Sequence, residues 1–116
     1  MTAVPMDVDP DRIDVRVSTS ADRCGVEVHG EVDSSTAPGL RDCLLEVLAR
    51  PGLSTVEVDL SKVTFLDSAG LSALAVAHRA AVGSGRTMQL RCGTARAVVR
   101  PLQITGLWDV FTVLDC

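Results

Sequence analysis

Apolar and polar residues alternate along the first part of the chain, and a helical period takes over after it. Ile13, Val15 and Val17 are separated by Asp14 and Arg16, the two-residue period of a strand with one buried face. Ala21-Asp22-Arg23 with Gly25 marks a turn, and Val26-Glu27-Val28-His29 alternates again. The two runs predict a hairpin. Leu40, Leu44, Val47 and Leu48 then fall at i, i+4, i+7 and i+8, one stripe of a helix ending near Arg50. Ser34-Ser35-Thr36 offers caps for its start, Pro38 suits its first turn, and Pro51-Gly52 stops it.

Residues 55–60 read as a third strand with Val56, Val58 and Leu60 on one face. A short loop leads to Asp67-Ser68, where a mostly apolar helix begins, with Leu71, Leu74, Ala75 and His78 on one side. Gly83-Ser84-Gly85 ends it. A fourth strand over residues 87–92 alternates through Met88, Leu90 and Cys92. A third helix over residues 95–104 contains Pro101, which either kinks it or ends an earlier segment. Gly106 terminates that helix, and residues 107–111 form a last turn before Val113-Leu114, a short final strand.

Strands alternating with helices predict an α/β fold. We expect a single domain over residues 12–116, built on a mixed, mainly parallel sheet with an N-terminal hairpin and helices packed on it. Residues 1–11, with Pro5 and Pro10, read as a flexible tail. In such sheets the strand ends meet the helix starts at one edge, where α/β proteins place their sites. Asp33 and Ser68 both stand at a strand-to-helix transition, so both are expected on that edge.

Composition narrows the function classes. The 116 residues are 47% hydrophobic and 22% charged, with a net charge of −4, ordinary for a soluble globular domain. The eleven basic residues are scattered and there is no tyrosine, which argues against nucleic-acid binding. No apolar run reaches bilayer length, so no membrane partner is expected. The start of the chain carries Asp7, Asp9 and Asp11 without a basic segment, unlike a secretory signal. A cytoplasmic location is the default expectation. Cys24, Cys43, Cys92 and Cys116 form no C-x-x-C pair, and His29 and His78 lie at no ligand spacing from them. Free thiols and no metal or cofactor follow.

Ser68 is the residue with most chemistry open to it. A hydroxyl at a helix start can cap the helix, attack a substrate or accept a phosphate. The nucleophile needs a G-x-S-x-G elbow, but Leu66 occupies the first glycine position. It also needs a base, and His78 lies about 15 Å farther along the same helix by the helical rise. A hydrolase is therefore the weakest reading; cap and phosphate acceptor stay open. Asp33 can be a solvated loop acid or part of a charged edge. Asp59 is read as an outward strand residue or a local hydrogen-bond partner, since no paired acids accompany it after the first strand to hold Mg²⁺.

Gly30-Glu31-Val32-Asp33, Thr36-Ala37-Pro38 with Leu40, the run from Val58 through Phe65-Leu66-Asp67-Ser68-Ala69-Gly70-Leu71, and Thr105-Gly106-Leu107 resemble the anti-sigma factor antagonists built on the STAS domain. The resemblance covers residues 13–114. It implies a bacterial transcription regulator, not an enzyme. Its expected partners are an anti-sigma factor that is also a serine kinase, and a serine phosphatase that resets the cycle; ATP and Mg²⁺ belong to the kinase. Ser68 matches the phosphate acceptor. Asp33 and Asp67 match the partner-contacting edge, and Ala69, Gly70 and Ser72 complete the expected partner-binding set. Ala69 stands where many members have a second serine, and Ser72 where many have glycine. The expected assembly is a monomer or weak dimer. The alternative is an unphosphorylated STAS scaffold within a larger signalling assembly.

Overall fold

The computed structural model describes residues 2–3 and 12–114. The tail expected over residues 1–11 lies outside these, apart from Thr2–Ala3, as does Cys116. In chain order the elements are β1 (Thr2–Ala3), β2 (Ile13–Ser20), β3 (Arg23–Val32), α1 (Ala37–Leu48), β4 (Thr55–Leu66), α2 (Ser68–Gly83), β5 (Thr87–Arg91), α3 (Arg96–Thr105), a 3₁₀ turn (Leu107–Asp109) and β6 (Thr112–Val113). The strands form one sheet in the order β1-β2-β3-β4-β5-β6. β1–β2 and β2–β3 are antiparallel; β3–β4, β4–β5 and β5–β6 are parallel. The predicted α/β fold, with its N-terminal hairpin and mixed sheet, is the fold observed.

The period-two residues of the strands lie on one buried face. Val15 pairs with Val28, Val26 with Val58, and Val58 with Leu90, and all five belong to a single apolar core. Leu40, Leu44 and Val47 of α1, Leu74 of α2 and Leu102 of α3 enter the same core. Each buried leucine or valine there contributes about 1.5–3 kcal/mol by leaving water. The intervening strand residues face outward and pair locally, as Arg91 does with Glu57 at 3.3 Å. Three consecutive parallel pairings are reached through α1, α2 and α3, which must therefore be amphipathic to cover the sheet.

β4 departs from the expected strand. The short loop anticipated after Leu60 is strand to Leu66. Asp59 is the local partner foreseen for it: its Oδ1 accepts the backbone N–H of Ser61 at 2.9 Å and the Ser61 hydroxyl at 2.6 Å. That turn-like contact coincides with a register shift between β3 and β4. Such an irregularity breaks the alternation without ending the pairing, so the apolar pattern changes while the strand continues through Val63 to Leu66. α3 likewise runs unbroken through Pro101, and Gly106 closes it with φ 77°, the left-handed turn that glycine takes at least cost.

The buried side of α2 consists of Gly70, Leu71, Ala73, Leu74, Ala77 and Ala81. Leu71 and Leu74 are as expected. Ala75 is half-buried, and so is His78, whose ring meets Phe111 edge-on at 5.3 Å. No helix among the described residues is long and apolar enough to cross a membrane.

Candidate functional site

The carboxyl ends of β3 and β4 lie side by side, with Val32 and Leu66 as Cα partners. The backbone N–H of Asp67 then donates to the Val32 carbonyl at 3.2 Å. Asp33 and Asp67, the first residue past each strand, are thus held at the same edge of the sheet. The expected shared edge for Asp33 and Ser68 is present.

Asp67 is the N-cap of α2. Its backbone is extended, with φ −108° and ψ −170°, and its Oδ1 accepts the N–H groups of Ala69 at 2.9 Å and Gly70 at 3.2 Å. Two of the donors left free at a helix start are satisfied in this way. Ser68 follows as the first helical residue and is exposed. Among the described residues its hydroxyl has no hydrogen-bond partner, so the cap reading of Ser68 passes to its neighbour.

Gly70 is buried beneath Ser68 for a steric reason. A Cβ there would sit 2.4 Å from Leu66 Cδ1, 2.8 Å from Val32 Cγ1 and 3.2 Å from the Val32 carbonyl oxygen. The absence of a side chain lets the first turn of α2 lie directly on the two strand ends. Of the predicted site residues, Ser68 and Ser72 are exposed, Asp33, Asp67 and Ala69 are half-buried, and Gly70 is buried.

Asp33 is no freely solvated loop acid. Its Oδ1 accepts the Ser35 N–H at 2.9 Å, the Ser35 hydroxyl at 2.8 Å and the Thr36 N–H at 3.2 Å. Its Oδ2 forms an ion pair with Arg12, whose Nε also reaches Glu31 at 3.3 Å. Thr36 occupies the N-cap position of α1 without capping it. Its buried hydroxyl instead donates to the Glu31 carbonyl and accepts the Asp33 N–H, both at 2.9 Å. Arg12 is the site residue that sequence reasoning missed, because no local pattern links positions so far apart. Its carbonyl oxygen would lie 2.1 Å from a Cβ on Gly30, which has φ 106°; glycine there permits the close approach. Phe65, 47% exposed, adds an apolar side chain beside Glu31 at the same strand ends.

The arrangement offers an exposed hydroxyl at the positive end of a helix, flanked by two carboxylates. Among the described residues no three His, Cys, Asp or Glu side chains group closely enough to hold a metal ion. The edge suits contact and charge change.

A family model described as "Mlab, STAS domain" matches residues 15–114. The anti-sigma-B factor antagonist of Listeria monocytogenes is 27% identical over 92 residues, which is 79% of this chain and 79% of the relative. The crystal structure of an anti-sigma factor antagonist from Mycobacterium paratuberculosis superposes with a TM-score of 0.81 at 31% identity, covering 94% of this chain and 91% of that one. The phosphorylated form of SpoIIAA, a Bacillus cell-fate determinant, shares the fold with a TM-score of 0.68 at 14% identity, over 88% and 90% of the two chains.

Proposed function

This chain belongs to the STAS-domain family, and we propose that it is an anti-sigma factor antagonist switched off by phosphorylation of Ser68. The observation that carries the switch is the division of labour at the start of α2. Asp67 does the capping, while the Ser68 hydroxyl stands exposed and unbonded beside it. A hydroxyl with no structural task can be modified without unfolding the helix.

In the bare state Ser68, Ala69 and Ser72 offer a small, lightly polar surface, with Asp33 and Asp67 at its margin. An anti-sigma factor that is also a serine kinase docks there and releases its sigma factor. The kinase, with its own ATP and Mg²⁺, transfers the γ-phosphoryl group to Ser68 Oγ; the hydroxyl proton leaves to the kinase and ADP departs. The phosphate brings about −1.5 to −2 of charge. The dipole of α2 favours an anion at that end, so the fold survives. The partner meets a new negative group beside Asp67 and dissociates. A serine phosphatase restores the hydroxyl. The role is regulatory, not enzymatic, and needs no cofactor of its own.

The test is a pull-down from cells of the source organism with wild type, Ser68→Ala and Ser68→Asp, followed by mass spectrometry of the recovered wild-type chain. An anti-sigma factor retained by wild type and Ser68→Ala but lost by Ser68→Asp, with phosphate mapped to Ser68, is the expected result. Equal retention by all three, with Ser68 never phosphorylated, overturns the switch and favours the scaffold.

A further inference from the structure

Beside the start of α2, a groove of about 210 Å³ runs between α1 and α2. Its apolar lining includes Ala37, Ala69 and Val76; its polar lining is Ser34, Arg41 and Ser72. Arg41 lines this space and is only lightly held. Its Nε meets Asp42 at 3.3 Å, a pair whose side chains are 43% and 71% exposed, and such exposed pairs bind weakly. Its two terminal nitrogens have no partner among the described residues, and neither do the hydroxyls of Ser34 and Ser72. At about 210 Å³ the groove falls below the usual range for small-molecule sites, about 300–1,000 Å³. It has room for one side chain.

We propose that the groove seats an acidic side chain, glutamate by preference, of the anti-sigma factor. The methyl groups of Ala37, Ala69 and Val76 take its aliphatic stem. The Arg41 guanidinium takes its carboxylate by a charge-assisted, two-pronged contact, and the Ser34 and Ser72 hydroxyls supply further donors. Charge complementarity argues for this occupant locally: Arg41 is the cation among the residues lining the groove, and no Asp or Glu lines it. The inference rests on the proposed function and deepens it. Ala69 lines the groove directly after Ser68, so a phosphate on Ser68 stands close to the seated carboxylate and repels it. Phosphorylation then acts on a particular contact as well as on the general charge of the edge.

The experiment measures binding of the anti-sigma factor recovered by the Ser68→Ala pull-down to wild type, Arg41→Lys, Arg41→Ala and Arg41→Glu by titration calorimetry at low and high salt. Thermal melting of each variant checks the fold. Arg41→Glu is expected to weaken binding about tenfold or more, Arg41→Ala less, and Arg41→Lys least, with the differences shrinking at high salt. Replacing one acidic residue of the anti-sigma factor by arginine should restore binding to Arg41→Glu. Equal affinities within about twofold, with wild type binding normally, overturn the groove assignment while leaving the proposed function standing. Failure of wild type to bind any anti-sigma factor removes both readings.

Discussion

Asp67 Oδ1 accepts the backbone N–H of Ala69 at 2.9 Å, across the exposed Ser68 that lies between them in sequence. The contact assigns structure to the aspartate and leaves the serine free. Asp67→Ala is expected to lower stability by about 0.5–2 kcal/mol, the usual cost of a lost cap. Ser68→Ala should stay within about 0.5 kcal/mol of wild type, as surface changes do. Urea denaturation of both variants checks this, and a larger loss at Ser68 than at Asp67 would reverse the assignment.

Gly70→Ala places a Cβ against Leu66, Val32 and the Val32 carbonyl. The Leu66 methyl can rotate aside, but the backbone oxygen cannot. We expect a loss of about 1–3 kcal/mol, the range for forcing a methyl into a packed site, read as a lowered melting temperature. Amide exchange should quicken over the first turn of α2 as the helix lifts from the strand ends.

Leu74 is fully buried and Leu71 nearly so, at 0% and 7% exposure. Truncation of either to alanine should cost about 2–5 kcal/mol, the sum of lost transfer energy and an unfilled cavity. Chemical denaturation gives the value. A loss below about 0.5 kcal/mol at both would place the buried face of α2 elsewhere.

The Cys43 thiol is pushed from its ordinary 9.0 up to about 11, first by burial and then by the Glu46 carboxylate, with Arg50 opposing. Below pH 9 the folded and unfolded chains both hold this proton, and the group's contribution is constant. Between about 9 and 11 the unfolded chain releases the proton first, so stability falls as pH rises through that window. Denaturation midpoints should decline from pH 9 upward, and Cys43→Ala should flatten part of the decline. Thiol-reactive disulfide reagents should modify Cys43 slowly at pH 8 in the folded chain, because the thiolate is the nucleophile.

Much of this molecule is legible in its residues. The alternation of Ile13, Val15 and Val17 against Val26 and Val28 announced the hairpin, and the Leu40-Leu44-Val47 stripe announced α1, because periods of two and 3.6 are local properties of backbone geometry. β4 past Leu60 was not legible. The Asp59–Ser61 contact and the register shift disturb the alternation, and only pairing with β3 keeps the segment extended. The half-burial of His78 followed from its place on the helix, but its edge-on contact with Phe111 shows the same limit, since it depends on where the chain's far end returns.

By itself, the sequence determined the α/β order of elements, the apolar residues of the core, and a serine at the start of a helix beside an aspartate. Those follow from neighbours within a few positions, whose steric and hydrophobic preferences act without the rest of the chain. Tertiary structure decided which of Asp67 and Ser68 caps α2, that Arg12 neutralises Asp33, and that Arg41 faces a groove beside Ser68. Each of these depends on strand register and helix packing between distant segments. Charge and hydrogen-bond geometry change steeply over a few ångströms, a distance that only the folded chain sets.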